Sequence, residues 1–483
     1  MLDITTFFSQ NERVTIYHPG TCDHEGKHVL YWMQRAQRGY QNAALNAAID
    51  LGNALDLPIV VVFVLTEFAA ANLRHYTFML EGIASVNRDL QHRGTPFLIR
   101  RGKPVEQILL MARELQAAAI ISDECELRTP RVWRDELKKH TQIPFACVDA
   151  DLVVPAKFFP KEEWAARTLR PKLLRLLPNF LQPVIDVEPK HKLSNAPCDT
   201  GDVRNPLSYL NSLVIDSSVK PSDYFQGGQD EGKRRLKLFM EDRLAGYTQQ
   251  RNHPEFERTS ELSAYLHFGQ ISVQQIAWDI HQYTPNSIVG ESKESKHYDE
   301  GKAAFLEELI VRRELAINFV LRNPHYDKLE GCPQWGKETL RKHALDPHTW
   351  NYSLEELELA KTHDELWNAS QREMVESGRI HGYLRMYWAK KILEWVEDPA
   401  LAFHYAVYLN DKYEIDGRDA NGYTGIAWAI GGKHDRPWGP ERPIFGLVRY
   451  MSLGGMQRKF DTQMYIKKWD SRLKPRRDRH YEE

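Results

Sequence analysis

One stretch of the chain, residues 367–450, combines aromatic side chains, charges and glycines at high density. Its centre, residues 379–395, mixes charged and aromatic residues in a single helical pattern with few apolar gaps. A helix that only packs against a core keeps its charges on one face. Trp388 and Trp395 are seven residues apart, so they lie near one face, two turns apart. Two tryptophans buried only for packing would show the same spacing, so this pattern leaves a purely structural role open.

A second stretch, residues 258–272, carries hydroxyl groups where a helical pattern begins. Thr259, Ser260 and Ser263 lie in this run. The first turn of a helix has free N–H groups that attract anions, and hydroxyl groups add further donors. These residues agree with an anion site and equally with an ordinary helix N-cap, which would present the same hydroxyls.

Four long, ordered segments resemble a known family: Thr362–Gln371, His381–Trp395, Tyr413–Asp419 and Gly431–Trp438. Together they resemble the flavin-binding core of the class II cyclobutane pyrimidine dimer photolyases. The resemblance covers most of the chain and is strongest over residues 260–460. It implies light-driven repair of UV-damaged DNA, by electron transfer from reduced FAD to a cyclobutane pyrimidine dimer that is flipped out of the duplex.

The resemblance implies where FAD lies. Arg385 would pair with Asp416 beside the isoalloxazine ring, where a fixed cation lowers the cost of a nearby negative charge. Asn410 would face flavin N5, because an amide can accept or donate a hydrogen bond there. A salt bridge between helix and loop, with no flavin, is the alternative for the first pair. The implied cofactor-binding residues are Tyr247, Thr259, Ser260, Leu262, Ser263, Arg385, Asn410, Asp416, Asp419 and Asn421.

The same resemblance implies substrate contacts at the mouth of the pocket and an electron path behind it. Glu308 would hydrogen-bond a pyrimidine, and Trp428 would present an apolar face to a flipped base. A solvated helix charge is the alternative for Glu308. The implied substrate-binding residues are Glu308, Arg312, Met386, Trp428 and Trp438. The implied catalytic residues are Glu308, Asn410 and three tryptophans, ordered from the flavin as Trp388, Trp367 and Trp395.

The elements that hold these residues divide into two domains and a connection. Residues 1–150 alternate apolar strands with helices, which predicts a Rossmann-like α/β domain, a doubly wound parallel sheet with right-handed crossovers. Residues 151–228 predict a connection, because residues 193–228 are rich in Ser, Pro, Asn, Asp and Gly. Residues 229–483 keep a helical period, which predicts an all-α domain for FAD binding and catalysis, with a charged tail at 467–483.

The predicted strands of the first domain are 28–33, 57–65, 96–100, 118–122 and 143–148. Ligands of such sheets bind beyond the carboxyl ends of the strands. No G-x-G-x-x-G follows the first strand, so a dinucleotide is not expected here. The resemblance implies instead a second, light-harvesting antenna chromophore of the deazaflavin or folate type. Tyr40, Gln41 and Ala43 depart from the family pattern, and a domain without a bound antenna is the alternative.

Composition limits the remaining possibilities. The chain has 483 residues and a formal net charge of −2, so DNA would have to bind a local basic groove. The five cysteines are scattered without C-x-x-C spacing, so neither a metal site nor a disulfide framework is expected. The start of the chain shows no signal-peptide pattern, and its apolar runs are too short to span a bilayer. We therefore expect a cytoplasmic monomer with access to DNA and no membrane association.

Three functions agree with these observations to different degrees. The first is repair of cyclobutane pyrimidine dimers. The second is a cryptochrome-type blue-light photoreceptor, which has the same fold and flavin but no repair activity. Such receptors often add a long tail, whereas this sequence ends soon after the shared core, and Glu308, Met386 and Trp428 favour repair. The third is a nucleotide-binding α/β module without catalysis, against which the helical half argues.

Overall fold

The computed structural model describes residues 2–285 and 293–470 of the chain. Of the charged tail predicted at 467–483, residues 471–483 lie outside the described residues. The N-terminal part forms one six-stranded sheet. After this sheet, the described part of the chain contains helices, turns and irregular segments but no strand. The predicted α/β domain followed by a helical domain is confirmed. None of the described helices is long and apolar enough to cross a membrane.

The sheet is doubly wound and mainly parallel. Its strands are β1 (Val14–His18), β2 (His28–Met33), β3 (Ile59–Leu65), β4 (Phe97–Arg101), β5 (Ala117–Asp123) and β6 (Phe145–Val148). Their spatial order is β1-β6-β5-β2-β3-β4. The chain moves from β2 outward to β3 and β4 on one side and to β5 and β6 on the other. The switch point, where such sheets form a crevice, therefore lies between β2 and β5.

Helices cover both faces of this sheet. They are α1 (Ile4–Phe7), α2 (Ala43–Leu55), α3 (Leu73–His92), α4 (Pro104–Glu114) and α5 (Arg128–His140). Every residue of β3 and β5 is buried, as expected for parallel strands between two helical layers. Asn42 caps α2, because its side chain accepts from the amides of Ala44 and Leu45.

Besides the one-turn helix α1, two elements of this domain are not predicted by the sequence pattern. β1 pairs antiparallel with β6, so the sheet is not wholly parallel. Four of its five residues are only partly buried, as is usual for an edge strand. α5 buries only Leu137 among its thirteen residues. Neither element carries the apolar periodicity on which the prediction depends.

The connection follows the outer edge of the sheet. It contains α6 (Ala166–Phe180) and then mostly irregular backbone. The amide of Ile99, on β4, donates to the carbonyl of Thr200 at 2.9 Å. The amide of Leu193 donates to the carbonyl of Gly94, in the turn before β4, at 2.8 Å. The connection therefore pairs with part of the edge that β4 would otherwise expose.

The second domain is a set of helices around one large core and a smaller one. A π-helical segment, Glu307–Arg312, joins α11 to α12 without a break, and another, Phe239–Arg243, follows α7. The helices are α7 (Gln229–Leu238), α8 (Tyr247–Gln250), α9 (Ser263–His267), α10 (Val273–Gln282), α11 (Lys293–Leu306), α12 (Arg313–Arg322), α13 (Gln334–Lys342), α14 (Leu354–Glu358), α15 (Glu365–Ser377), α16 (Gly382–Trp395), α17 (Pro399–Tyr413), α18 (Ala420–Gly431), α19 (Leu453–Gln457) and α20 (Thr462–Lys468).

A buried ion network joins the two domains. Arg35, in the segment after β2, donates through Nε to Asp151 at 3.1 Å. Its Nη2 lies 3.3 Å from Asp419 and 3.5 Å from Glu126. Asp151 also accepts from Nη2 of Arg313 at 2.6 Å. All five side chains are buried, and buried charges are tolerated only when they are paired in this way.

Gly269 lies where the helical domain touches the segment after β2. Its φ is +61°, and an added Cβ would lie 1.8 Å from the carbonyl oxygen of Arg35. We expect Gly269→Ala to lower the free energy of unfolding by about 1–3 kcal/mol from backbone strain alone, with the clash adding to it. Denaturant unfolding measures this loss.

The matched control is Gly425→Ala in α18, where an added Cβ meets nothing within 4 Å. Because alanine is favoured over glycine inside a helix, the control should be as stable as the parent or more stable by about 1 kcal/mol. Equal stability of the two variants would contradict the tight contact at Gly269.

Candidate active site

The three predicted relay tryptophans touch one another. Trp367, on α15, stacks on Trp388 of α16 with ring centres 6.2 Å apart and an interplanar angle of 5°. On its other side, Trp367 meets Trp395 edge to face at 5.5 Å. Trp367 therefore lies between the other two in space. Each of the three is at most 1% exposed, so none of them reaches solvent. Their role in electron transfer stays a prediction.

Arg385 of α16 lies against two carboxylates. Its Nη2 is 2.9 Å from Glu414 and 3.5 Å from Asp416, so the predicted partner is shared with a nearer one. Burial and the neighbouring charge of Asp416 raise the pKa of Glu414 well above its usual value. Burial opposes the charge on Arg385, but the two carboxylates outweigh it and raise the pKa of the guanidinium. Arg385 therefore keeps a positive charge inside the domain.

The predicted residues of α17 and α18 have different surroundings. Asn410, on α17, is 2% exposed, and its Nδ2 donates to Asp411 at 2.9 Å. Asn421 is exposed and donates through Nδ2 to Asp419. Asp419 caps α18 by accepting from the amide of Asn421 at 2.9 Å, and its other oxygen lies 3.1 Å from His267. Both oxygens of Asp419 are thus engaged by protein groups.

The predicted hydroxyl cluster lies around the start of α9. The helix begins at Ser263, so Thr259 and Ser260 lie in the loop before it. Leu262 is buried and Ser263 is exposed. The hydroxyl of Thr259 accepts from Nη1 of Arg379 at 3.1 Å. Its carbonyl oxygen accepts from Nη1 of another arginine, Arg243, at 2.9 Å.

Three arginines converge on Glu261 beside these hydroxyls. Its carboxylate lies 2.9 Å from Arg235, 3.4 Å from Arg243 and 3.4 Å from Arg379. Arg235 and Arg379 each have a second carboxylate partner. Among the described residues, Arg243 has no second one, and its Nε is buried without a hydrogen-bond partner. This corner therefore retains a cationic donor that an anion could use.

Glu308 and Arg312 both lie in the π-helical segment between α11 and α12. Such segments widen a helix locally and often occur at functional sites. Glu308 accepts from Nη1 of Arg251 at 2.8 Å, and its side chain is 45% exposed. Arg312 instead pairs with Glu307 at 3.1 Å. The ring centre of Tyr247 lies 5.8 Å from the guanidinium of Arg251, so Tyr247, Arg251 and Glu308 form one connected cluster.

Met386 and Trp428, on α16 and α18, are partly buried against the large core. Lys390 is completely buried between the same helices. Its Nζ lies 4.6 Å from the centre of the Trp428 ring and donates to the carbonyl of Ala429 at 2.8 Å. Burial lowers the pKa of Lys390 to about 7.

Trp438 lies between two arginines in the loop after α18. Its ring centre is 4.7 Å from the guanidinium of Arg436 and 4.1 Å from that of Arg449. Arg442 lies over the ring of Tyr450 at 5.2 Å. In the part of the chain that the structure describes, none of these arginines has a carboxylate within 4.0 Å. We call Arg436, Trp438, Arg442 and Arg449 the basic loop.

A cleft opens beyond the carboxyl ends of β2 and β3, where α/β sheets bind ligands. The helical domain closes it with His267, Phe268 and Arg418. Its apolar lining includes Met33, Phe63, Leu65, Trp133 and Phe268. Across the described ranges, no group of three or more His, Cys, Asp or Glu side chains could hold a metal ion.

Comparison with known proteins gives the family. The chain is 41% identical over 466 residues to a deoxyribodipyrimidine photo-lyase from Methanothermobacter thermautotrophicus, and the alignment covers 94% of this chain and 97% of that enzyme. The chain belongs to the DNA photolyase family. A deoxyribodipyrimidine photo-lyase from Arabidopsis thaliana is 41% identical over 448 residues, which are 91% of this chain and 88% of that enzyme. The family model described as DNA photolyase matches residues 29–190.

A solved photolyase has the same fold. The archaeal photolyase from Sulfolobus tokodaii, whose structure contains two FAD molecules, superimposes with a TM-score of 0.67 at 18% identity. The match covers 92% of this chain and 90% of that one. At this identity, the likeness supports the photolyase fold and not the details of a site.

The residues of this photolyase fit an FAD. An FAD carries an anionic diphosphate at one end and a ring system that gains electrons at the other. Buried donors without a protein partner occur beside both corresponding segments, at Nε of Arg243 near Thr259 and at Nε of Arg385 near Asp416. Such atoms are costly to bury unless something accepts from them. Bound phosphate and flavin oxygens would satisfy these donors.

Four charged residues of this photolyase site are absent from the prediction: Arg243, Arg379, Glu261 and Glu414. The sequence offers a signal for two of them. Arg379 opens the stretch that carries the relay tryptophans, and Glu414 lies inside the quoted segment Tyr413–Asp419. The sequence gives no signal for Glu261 and Arg243. Glu261 has a left-handed backbone, with φ of 58°, which is uncommon for residues other than glycine and is not predicted by a charged residue.

We expect Asp419→Asn to destabilise this photolyase in a pH-dependent way. Burial raises the pKa of Asp419, but the hydrogen bond with His267 and the charges of Arg35 and Arg313 outweigh burial. The pKa of Asp419 is therefore below its usual value. A carboxyl whose folded pKa is depressed stabilises the fold above its unfolded pKa of about 4, and this contribution is lost as the pH falls. At pH 7 the loss should be on the order of 3 kcal/mol, as for a broken buried ion pair.

Denaturant unfolding at several pH values measures this difference. The gap between parent and variant should be complete at neutral pH and shrink as the pH falls towards the acid range. Asp135→Asn is the control, because that side chain is 60% exposed on α5. A gap that stays constant with pH would exclude a charge effect at Asp419.

Proposed function

We propose that this protein repairs cyclobutane pyrimidine dimers in DNA under light, by electron transfer from reduced FAD to the flipped-out dimer. The observation that carries the proposal is the alignment of nearly the whole chain, at 41% identity, with an enzyme named deoxyribodipyrimidine photo-lyase. When bound, FAD supplies the one-electron chemistry, and the chain supplies binding, orientation and electrostatics. The enzyme is therefore a carbon–carbon lyase.

We assign the phosphate end of FAD to the start of α9. Thr259, Ser260 and Ser263 supply hydroxyls, and Arg243 supplies a charged donor whose Nε has no protein partner. Charge-assisted hydrogen bonds of this kind are stronger than neutral ones. Leu262 and Tyr247 are buried and would contribute apolar contact.

We assign the ring end of FAD to Arg385, Asp416 and Asn410. Arg385 keeps its positive charge between Glu414 and Asp416, so it would favour negative charge on a neighbouring ring. The amide of Asn410 is held in the interior by its bond to Asp411. Such an amide can donate or accept at a ring nitrogen, which suits a group that changes its protonation. We assign supporting roles to Asp419 and Asn421, which fix the start of α18.

We assign contacts with the dimer to Glu308, Met386 and Trp428. Glu308 is exposed enough to meet a ligand and can accept from a pyrimidine N3–H. Trp428 would support a flipped base by stacking, and Lys390 holds its ring from behind. Arg312 lies one turn after Glu308 and would offer a cationic contact.

We propose that the basic loop binds the DNA backbone. Its arginines have no carboxylate partner in the described part of the chain, so phosphates would be their first ionic partners. Trp438, between two of them, would fill the space that an extruded dimer leaves. Because the net charge is −2, binding depends on this local patch and not on the whole surface.

We further propose that the cleft beyond β2 and β3 holds a light-harvesting antenna chromophore. Its position at the carboxyl ends of the strands and its apolar lining support a planar, mostly apolar ligand. Each assigned residue belongs to one copy of the chain, so a monomer would carry the whole site. The proposed action on DNA supports a cytoplasmic location with access to DNA.

We expect purified protein to contain non-covalent FAD and, after reduction, to remove dimers from irradiated DNA only under blue light. Glu308→Ala and Trp428→Ala should retain FAD but each weaken dimer binding by on the order of 1–3 kcal/mol, the scale of a buried hydrogen bond or a base–aromatic stack. Flavin absorbance and loss of dimers over time measure the two properties.

Glu300→Ala is the control for Glu308, because Glu300 is exposed on the preceding part of the same helical run. Protein that binds FAD and responds to light but leaves dimers intact would support the cryptochrome-type alternative. Protein that cannot take up added FAD would contradict the whole proposal.

We expect Trp388→Phe to stop light-driven reduction of oxidised flavin. Phenylalanine keeps most of the ring packing against Trp367 but does not readily give up an electron. With an external thiol under blue light, the rate of flavin reduction should fall by about tenfold or more, which corresponds to roughly 1.4 kcal/mol or more in barrier. Repair by enzyme that was reduced chemically beforehand should persist. Photoreduction at the parent rate would mean that the tryptophans serve only packing.

A further inference from the structure

The relay of Trp388, Trp367 and Trp395 stops inside the protein. Trp395, at its outer end, is 1% exposed. A reductant in solution cannot contact a buried indole, so an electron that enters from outside must first pass through another group. The redox-active side chains nearest to Trp395 are therefore of interest.

An aromatic cluster continues outward from Trp395. Tyr352 and His363 each meet Trp395 at 5.3 Å, close to perpendicular. His363 stacks on Trp350 with ring centres 4.3 Å apart. The rings of Trp350 and Tyr352 are nearly parallel, at 6.5 Å. Trp350 is 48% exposed, so the cluster reaches solvent at this residue.

We propose that Trp350 is the surface terminus of the relay and the residue through which external electrons enter. The inference rests on the proposed function, because a light-driven flavin is what creates the need for electrons. It extends the relay by one redox-active indole beyond the three tryptophans predicted from the sequence.

The distances support this extension. Between ring centres, the two inner contacts measure 6.2 and 5.5 Å. The ring-centre distances of the outward contacts are 4.3 to 6.5 Å, which is similar to the inner ones. The loop that carries Trp350 is also fixed to the end of α16. Nδ1 of His348 hydrogen-bonds to the carbonyl of Glu394 at 2.8 Å, and Nδ2 of Asn351 donates to Glu397 at 3.1 Å.

The charge of Lys391 favours transfer of the positive charge of an oxidised tryptophan from Trp395 outward to Trp350. Nζ of Lys391 lies 5.8 Å from the centre of the Trp395 ring, and a positive charge there opposes a second positive charge on the indole. Glu394, at 2.7 Å from Lys391, reduces this effect without removing it. Within the described residues, no cation lies over the ring of Trp350. Its exposed face also allows water to stabilise positive charge.

The electron balance of the step is simple. One electron leaves the indole of Trp350 and fills the vacancy on oxidised Trp395, across the Tyr352–His363 pair. Trp350 then carries the vacancy and releases its indole proton to solvent. A thiol in solution returns one hydrogen atom, that is, an electron and a proton, and two thiyl radicals combine to a disulfide. The hydrogen bond of 2.8 Å between the Tyr352 hydroxyl and Nδ1 of His363 keeps the bridging rings together.

The first test compares variants of the FAD-loaded enzyme under blue light with dithiothreitol. Trp350→Phe should reduce the flavin severalfold more slowly than the parent, and Trp350→Tyr should recover part of the rate because a phenol is still redox-active. The matched control is Trp164→Phe, because Trp164 is 52% exposed and has no ring contact in the described part of the chain. Flavin content and repair by chemically reduced enzyme should be unchanged in all three variants.

The second test does not use activity. The loaded enzyme is illuminated in air without thiol, and oxidised tryptophans are located by mass spectrometry. Oxidation should accumulate at Trp350 above the level at Trp164, and Trp388→Phe should abolish this excess. Photoreduction of Trp350→Phe at the parent rate, or oxidation of Trp350 that persists in Trp388→Phe, would overturn the inference alone. A parent enzyme whose flavin is not reduced by light would overturn the proposed relay together with it.

Discussion

The buried guanidinium of Arg35 is the interaction on which the arrangement of this photolyase depends. Arg35 forms ion pairs with Asp151 and Glu126 on one side and with Asp419 of the helical domain on the other. Asp419 is also the N-cap of α18, the helix that carries Trp428. The contact between the domains and the start of α18 are therefore held by one network. Removal of Arg35 would take an ionic partner from three buried carboxylates at once.

The helical domain extends the same use of buried charge towards the site. Glu414 and Lys390 are fully buried ionisable groups among these helices, and the partly buried Arg385 lies against Glu414. Burial of such groups works against stability, so a fold that retains them needs a large core to compensate. The core around α15, α16 and α18, which includes the relay tryptophans, provides it. The three tryptophans therefore contribute to core packing whether or not they transfer electrons. Electron transfer would be a second role of the same side chains.

Much of this architecture could be predicted from the sequence, and the exceptions have physical reasons. Apolar runs predict strands that are buried on both faces, such as β3. N-cap residues predict the start of helices such as α15. The edge strand β1 and the exposed helix α5 do not, because they bury few side chains. In the site, the motif residues and the contact between Arg385 and Asp416 could be predicted, but the further partners could not. Glu414 beside Arg385, and Arg251 beside Glu308, come from distant segments, and only the tertiary fold brings them together.

The connection along β4 also affects the tendency of the protein to self-associate. An exposed strand edge offers unpaired amides and carbonyls to other chains, and this is a common start of aggregation. The hydrogen bond from Ile99 to Thr200 occupies part of that edge, while β1 is itself the strand at the opposite edge. A segment rich in Ser, Pro, Asn, Asp and Gly thereby covers part of the sheet edge. Shortening it to a minimal linker would preserve the site residues and yet yield a protein that self-associates through β4.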